Sequence, residues 1–124
     1  THKKSSVGCA AALATLECLL EDELIDNSVA LGEKGLTRLE DMKSKYPIVS
    51  DVRGLGLFFG IELTKNGKPA QKEAEEILYH SLSNGLNYKV GGSCILTLCP
   101  PMTITDEELN EAFNIIEAGI KEVC

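Results

Sequence analysis

Ile48-Val49-Ser50-Asp51-Val52, then Arg53-Gly54-Leu55-Gly56, then Leu57-Phe58-Phe59-Gly60-Ile61-Glu62-Leu63-Thr64 is the stretch whose reading decides the fold. Its two outer segments are rich in β-branched and aromatic residues, which suit a pleated, half-buried surface. They read as a short strand followed by a longer one. Asn66-Gly67 stops the second, because both residues tolerate turn conformations. Arg53-Gly54-Leu55-Gly56 is left as the reversal between them: the glycines allow a tight turn, and Arg53 is expected to pair with a nearby carboxylate. The spacing Gly54-x-Gly56-x-x-x-Gly60 is not a dinucleotide fingerprint. It precedes a strand, whereas a bound phosphate has to meet a helix N-terminus. Arg53, Gly54 and Gly56 are therefore read as structural.

Helices flank this pair on both sides. Ile25, Val29, Gly32, Leu36 and Leu39 recur at helical spacing up to Tyr46-Pro47, which predicts a helix from about Asp26 to Lys45. Downstream, Ala74, Ile77, Leu78 and Ser81 share one face of a helix over Ala70 to Ser83, and Asn84-Gly85 supplies a left-handed stop. Leu86 to Lys89 and Cys94 to Leu98 read as two strands around a tight reversal at Gly91-Gly92. Thr105-Asp106-Glu107-Glu108 is a capping box, and the helix it opens carries Leu109, Ala112, Phe113, Ile116, Ile120 and Val123 on a single face. The order α-α-β-β-α-β-β-α predicts an α+β fold, a small and mostly antiparallel sheet covered by helices, in one domain spanning residues 1–124.

The first helix is unlike the rest. From Val7 to Leu20 only Thr15 and Glu17 interrupt an apolar surface that runs around the whole circumference. A surface helix shows one apolar stripe, and a bilayer crossing needs about 20 residues. This helix is expected to dock on protein outside the 124 residues, and the chain taken alone is expected to self-associate. A formal charge of -7 repels phosphate backbones and anionic headgroups, so neither nucleic acid nor a membrane surface is an expected partner. Five cysteines without a Cys-x-x-Cys motif suit buried, reduced thiols and a cytoplasmic setting. With only His2 and His80 as imidazoles, no metal site is expected, and His80 is read as a solvated partner of Glu76 one turn earlier.

From these residues alone the reading stops at an α+β domain with an absent partner. Two self-sufficient alternatives stand beside it: a binding module whose first helix dimerises, and a thiol enzyme using Cys94 or Cys99, which would require an exposed, acidic thiol. Four phrases go further. Val7-Gly8-Cys9-Ala10-Ala11-Ala12-Leu13-Ala14-Thr15-Leu16, Asp51-Val52-Arg53-Gly54-Leu55-Gly56-Leu57 running into Gly60-Ile61-Glu62-Leu63, Leu98-Cys99-Pro100-Pro101 and Thr103-Ile104-Thr105 together resemble the C-terminal part of a class III pyridoxal-phosphate aminotransferase. The resemblance implies a fold-type I architecture, in which a small domain packs on a large cofactor domain through a linking helix, here residues 8–21, within a homodimer. It implies that the lysine forming the Schiff base with pyridoxal 5'-phosphate lies in the large domain, so this chain holds no catalytic residue and is inactive alone. Thr1 aligns with a threonine that binds the cofactor phosphate, although the His2-Lys3-Lys4-Ser5-Ser6 that follows departs from the family's usual turn. Lys89 stands where many relatives carry an arginine that takes a substrate carboxylate. Thr97, small where ornithine and 4-aminobutyrate types tend to place an arginine, is similar to the omega-amino acid and amine:pyruvate types. The parent is thus expected to transfer an amino group from an amine or omega-amino acid to a 2-oxo acid.

Overall fold

A computed structural model describes residues 5–124. The chain forms α1 (Ser6–Glu21), α2 (Leu24–Lys45), β1 (Val49–Leu55), β2 (Phe58–Lys65), β3 (Lys68–Pro69), α3 (Gln71–Ser83), β4 (Lys89–Gly91), β5 (Ile95–Leu98) and α4 (Asp106–Val123). The sheet runs β1-β2-β5-β4, with β3 paired to the end of β2, and these pairings are antiparallel. Along β2, Phe59, Ile61 and Leu63 are fully buried while Phe58 is 57% exposed. That period of two is what a sheet covered on one face requires. The covering layer is Leu39 and Met42 of α2, Ala74 and Ile77 of α3, and Phe113, Ile116 and Ile120 of α4. Phe59 meets Phe113 edge-on with ring centroids 5.6 Å apart, the arrangement that ring quadrupoles favour. The α+β fold class and the helix order are those expected from the sequence.

Local geometry departs from expectation in several places. Arg53, Gly54 and Leu55 belong to β1, so the reversal shrinks to Gly56 and Leu57. Gly56 has φ +54°, but Gly54 pairs opposite Phe59 within the ladder. What asks for glycine at 54 is space: a Cβ there would lie 2.9 Å from the Phe58 carbonyl oxygen and 2.9 Å from the Phe59 ring. Asn66 and Gly67, both at positive φ, do more than stop β2; they fold the chain back as the short β3. Leu86 to Tyr88 stay outside the ladder because α3 draws them in. The Leu86 N–H donates to the Ser81 carbonyl at 2.9 Å, and the Tyr88 hydroxyl lies 3.2 Å from Ser81 Oγ. The reversal before β5 falls at Gly92-Ser93, both at positive φ, one residue later than expected.

The face of α2 is also rotated. Leu31, Gly32, Gly35, Leu39 and Met42 are buried, whereas Ile25 and Val29 are more than half exposed. Two glycines set this rotation by allowing the helix to sit directly on the sheet: a Cβ at Gly32 would fall 2.5 Å from the Gly56 carbonyl oxygen, and one at Gly35 2.6 Å from the Phe59 ring. Helix α1 is capped by Ser5, whose hydroxyl accepts the Gly8 N–H at 3.3 Å, and it buries no residue. Val7, Leu13, Leu16 and Leu20 are 57% to 78% exposed. No helix among the described residues is long and apolar enough to cross a membrane. The five cysteines are free, but only Cys94 is buried, which corrects the expectation of buried thiols.

Candidate functional site

The register of β4 on β5 places Lys89 opposite Thr97. Both line a cleft of about 600 Å³ where these strands and Phe58 of β2 meet the loop after Leu98 and the first half of α4. Leu109 and Phe113 give it an apolar wall from α4, and Cys99-Pro100-Pro101 forms the opposite side of the loop region. Sequence reasoning named Lys89, Thr97 and Cys99 separately, and the fold brings them to one place.

The polar groups around the cleft are unequal. Burial pushes the Tyr88 phenol up to about 12, with the Ser81 hydrogen bond working in the other direction, so Tyr88 contributes no charge near neutral pH. Glu108 is committed elsewhere. Its carboxylate accepts the Thr105 N–H at 2.9 Å and the Thr105 hydroxyl at 3.0 Å, closing the capping box, and these bonds hold its carboxyl below the usual range. Lys34, Lys43, Lys45, Lys65, Lys72 and Lys121 are all drawn into ion pairs. Lys89, exposed at the start of β4, forms no ion pair among the described residues. An ammonium beside a hydroxyl and an apolar wall can take an anionic group while the wall accepts the methylenes that carry it.

The remaining candidates lie elsewhere. Arg53 projects from the uncovered face of the sheet and donates to Asp51 at 2.8 Å and Glu62 at 2.9 Å, while Lys43 reaches Asp51 at 3.2 Å. The hydrogen bond from Arg53, then that from Lys43, holds the Asp51 carboxyl below its ordinary value. His80 does not meet Glu76; its Nδ1 lies 2.9 Å from Glu122, tying α3 to α4, and Glu76 instead faces Lys72 at 3.5 Å. That correction follows from packing, because Gly119 of α4 leaves room for the imidazole against α4. Cys94 is buried and Cys99 exposed. No group of three or more metal-ligating side chains occurs among the described residues. Thr1 lies outside the described residues.

Two side chains went unnoticed in the sequence. Asn27 Nδ2 donates to the carbonyls of Met102, at 2.8 Å, and Ile104, at 3.3 Å. Ser28 Oγ accepts the Leu57 N–H at 3.3 Å. The available signal was two cap-preferring residues inside a helix, followed by Gly32 and Gly35 on the same face.

Comparison with known proteins places these features in a family. The model for aminotransferase class-III matches residues 1–120. The chain belongs to the class-III aminotransferase family. It is 39% identical over its full length to the (R)-1-hydroxy-2-aminoethylphosphonate ammonia-lyase of Vibrio splendidus, covering 26% of that protein. Over 95% of its length it is 39% identical to an ornithine aminotransferase of Exiguobacterium, covering 27% of it. The acetylornithine aminotransferase structure from Elizabethkingia anophelis superposes with a TM-score of 0.84 at 32% identity, over 92% of this chain and 28% of that one. A phospholyase from Arthrobacter in complex with phosphoethanolamine gives 0.86 at 27% identity, over 90% of this chain and 28% of that one. The chain thus spans between a quarter and a third of the length of these class-III relatives.

Proposed function

We propose that this chain is the small C-terminal domain of a pyridoxal-phosphate enzyme that moves an amino group from an amine or omega-amino acid to a 2-oxo acid such as pyruvate or 2-oxoglutarate. The observation that carries this reading is the family match over residues 1–120 of a chain whose own cleft presents an uncommitted lysine. Relatives matching nearly the whole chain at 32% to 39% identity include ornithine, 5-aminovalerate and 4-aminobutyrate aminotransferases. In this reading Lys89 takes a substrate carboxylate. Lysine offers a point charge without the two-pronged geometry of arginine, so it would accept carboxylates in more than one orientation.

The described residues do not complete a site for pyridoxal phosphate. Six lysines are held in surface ion pairs, Lys68 is exposed on the short β3, and Lys89 stands at an open cleft whose carboxylate, Glu108, is already engaged. In this reading cofactor binding, with Thr1 as a contact to its phosphate, belongs to the assembled enzyme: a large domain of the same protein and a second subunit, both docking through α1. Free thiols support a cytoplasmic setting.

A second reading has a specific observation in its favour. Two relatives handle phosphorus-bearing amines, one by ammonia release and one with phosphoethanolamine bound. A lysine ammonium suits a phosphonate as well as a carboxylate.

The intact protein loaded with pyridoxal phosphate decides between them. Amino transfer requires that a 2-oxo acid be consumed as the amine is; the lyase reading instead releases ammonia with no acceptor present. Lys89→Met should raise KM for a carboxylated donor about 10-fold, the worth of one charge-assisted hydrogen bond of about 1.5 kcal/mol, and leave KM for an amine that carries no carboxylate unaffected. Absence of amino transfer from every amine tried would overturn the first reading.

A further inference from the structure

Helix α2 begins at Leu24, directly after α1, and the junction residue Glu23 has φ 52°. Its first turns touch both backbone segments that border the cleft. On one side Asn27 donates through a single amide nitrogen to the carbonyls of Met102 and Ile104, which belong to the segment that continues from Cys99-Pro100-Pro101. On the other side Ser28 accepts from Leu57, the residue before Phe58 of the cleft, and Gly32 lets the same helix face rest on the Gly56 carbonyl. Asn27, Ser28 and Gly32 lie within six residues, so one rigid stretch of helix fixes the spacing of the two segments.

Apart from Ile104, which packs against the core, the segment after Leu98 has few polar restraints among the described residues. Pro100 and Pro101 have no N–H to donate, and its own turn is closed by the bond from the Ile104 N–H to the Pro101 carbonyl at 3.0 Å. The Asn27 amide is what ties it to another element at Met102, a distance of 75 residues along the chain.

We propose that Asn27 is a positioning residue for the cleft: it holds the 99–104 segment against α2 and so sets the gap in which Lys89 and Thr97 receive the substrate. Ser28 does the same for the Gly56-Leu57 reversal. The proposal rests on the reading of the cleft as a substrate site, and its test separates the two.

In the intact, cofactor-loaded protein, alkylation of Cys99 followed by peptide mass mapping reports the position of the segment without reference to activity. Asn27→Asp is close in shape but cannot donate to the two carbonyls, and Asn27→Ala removes the bonds without adding charge. Both should raise the rate of Cys99 modification at least 3-fold relative to Cys124 and raise KM for a carboxylated amine at least 5-fold while kcat changes less than 2-fold. Asn27→Gln, which keeps the donor, should recover part of both effects. Asn110→Ala, which removes a like side-chain bond to the Asp106 carbonyl on the exposed face of α4, should move neither. Unchanged Cys99 reactivity in both Asn27 variants overturns the proposal whatever the enzyme does. Raised reactivity with unchanged KM in an active transaminase overturns the link to the cleft. Raised reactivity in a protein that transfers no amino group supports the positioning role and overturns the functional reading instead.

Discussion

Gly32 and Gly8 are both helical glycines, and the same substitution should have opposite signs at the two. A Cβ at Gly8 would meet nothing nearer than 3.6 Å, so Gly8→Ala should gain up to about 1 kcal/mol of helix propensity. At Gly32 the Cβ would lie 2.5 Å from a backbone oxygen that cannot rotate away, and Gly32→Ala should cost about 1–3 kcal/mol, as overpacking does. The helical circular dichroism of α1 checks Gly8→Ala and a urea melt of the core checks Gly32→Ala; a Gly32→Ala protein as stable as the parent would show that α2 is not seated on Gly56. At this scale the sequence was only partly legible. Gly56, at φ +54°, was readable as a turn glycine, but Gly54 was not distinguishable from it. Whether a glycine serves a turn or a close approach depends on what lies across the ladder, and Phe58 and Phe59 reach Gly54 only through the pairing of β1 with β2. Asn27 was hidden for a related reason, since its acceptors lie more than seventy residues away and no local pattern announces them.

Between elements, a largely buried carboxylate ties α2 to α4. Glu117, only 8% exposed, accepts from Arg38 and from the Tyr46 hydroxyl at 2.8 Å, with Lys121 at 3.7 Å. Burial alone would raise its carboxyl, but the Tyr46 bond and the neighbouring cations Arg38, Lys121 and Lys45 outweigh it and hold the group below 4.5. A carboxyl whose folded value is depressed contributes stability that is fully present above the unfolded value, about 4.3, and is lost as pH falls through the folded one. Thermal melts should therefore decline below about pH 4.5, and Glu117→Gln should be less stable at pH 7 by about 1–3 kcal/mol with a flatter acid limb. An acid limb identical in slope to the parent's would remove Glu117 from the account. Helices α3 and α4 were legible because their caps and stripes agree, Thr105 and Glu108 above all. The register of α2 was not: Ile25 and Val29 fit the same period as Leu39 but face outward, because Gly32, the least hydrophobic member of that period, and Gly35, which lies outside it, are the ones pressed against the sheet.

For the whole molecule, α1 decides how the chain behaves in solution. Val7, Leu13, Leu16 and Leu20 on α1, then Ile25 and Val29 on α2, are each at least half exposed, while the core beneath the sheet closes without any of them. Apolar surface of this extent drives association, each leucine fully buried being worth about 1.5–3 kcal/mol. The sequence led to the expectation that this helix docks on protein outside the 124 residues; α1 buries nothing, so Leu13, Leu16 and Leu20 do not face the sheet. Replacing all three with glutamate should leave the far-ultraviolet circular dichroism of α2 to α4 and the cooperative melt of the core in place. Sedimentation of the parent chain should show oligomers that the triple variant lacks. In the intact protein the same change should instead weaken subunit assembly and release bound pyridoxal phosphate, because the surface lost there is the one proposed to meet the large domain and the second subunit. A triple variant that unfolds would mean that α1 folds back on the core in solution, and a parent chain that sediments as a monomer would leave its exposed leucines without the partner proposed for them.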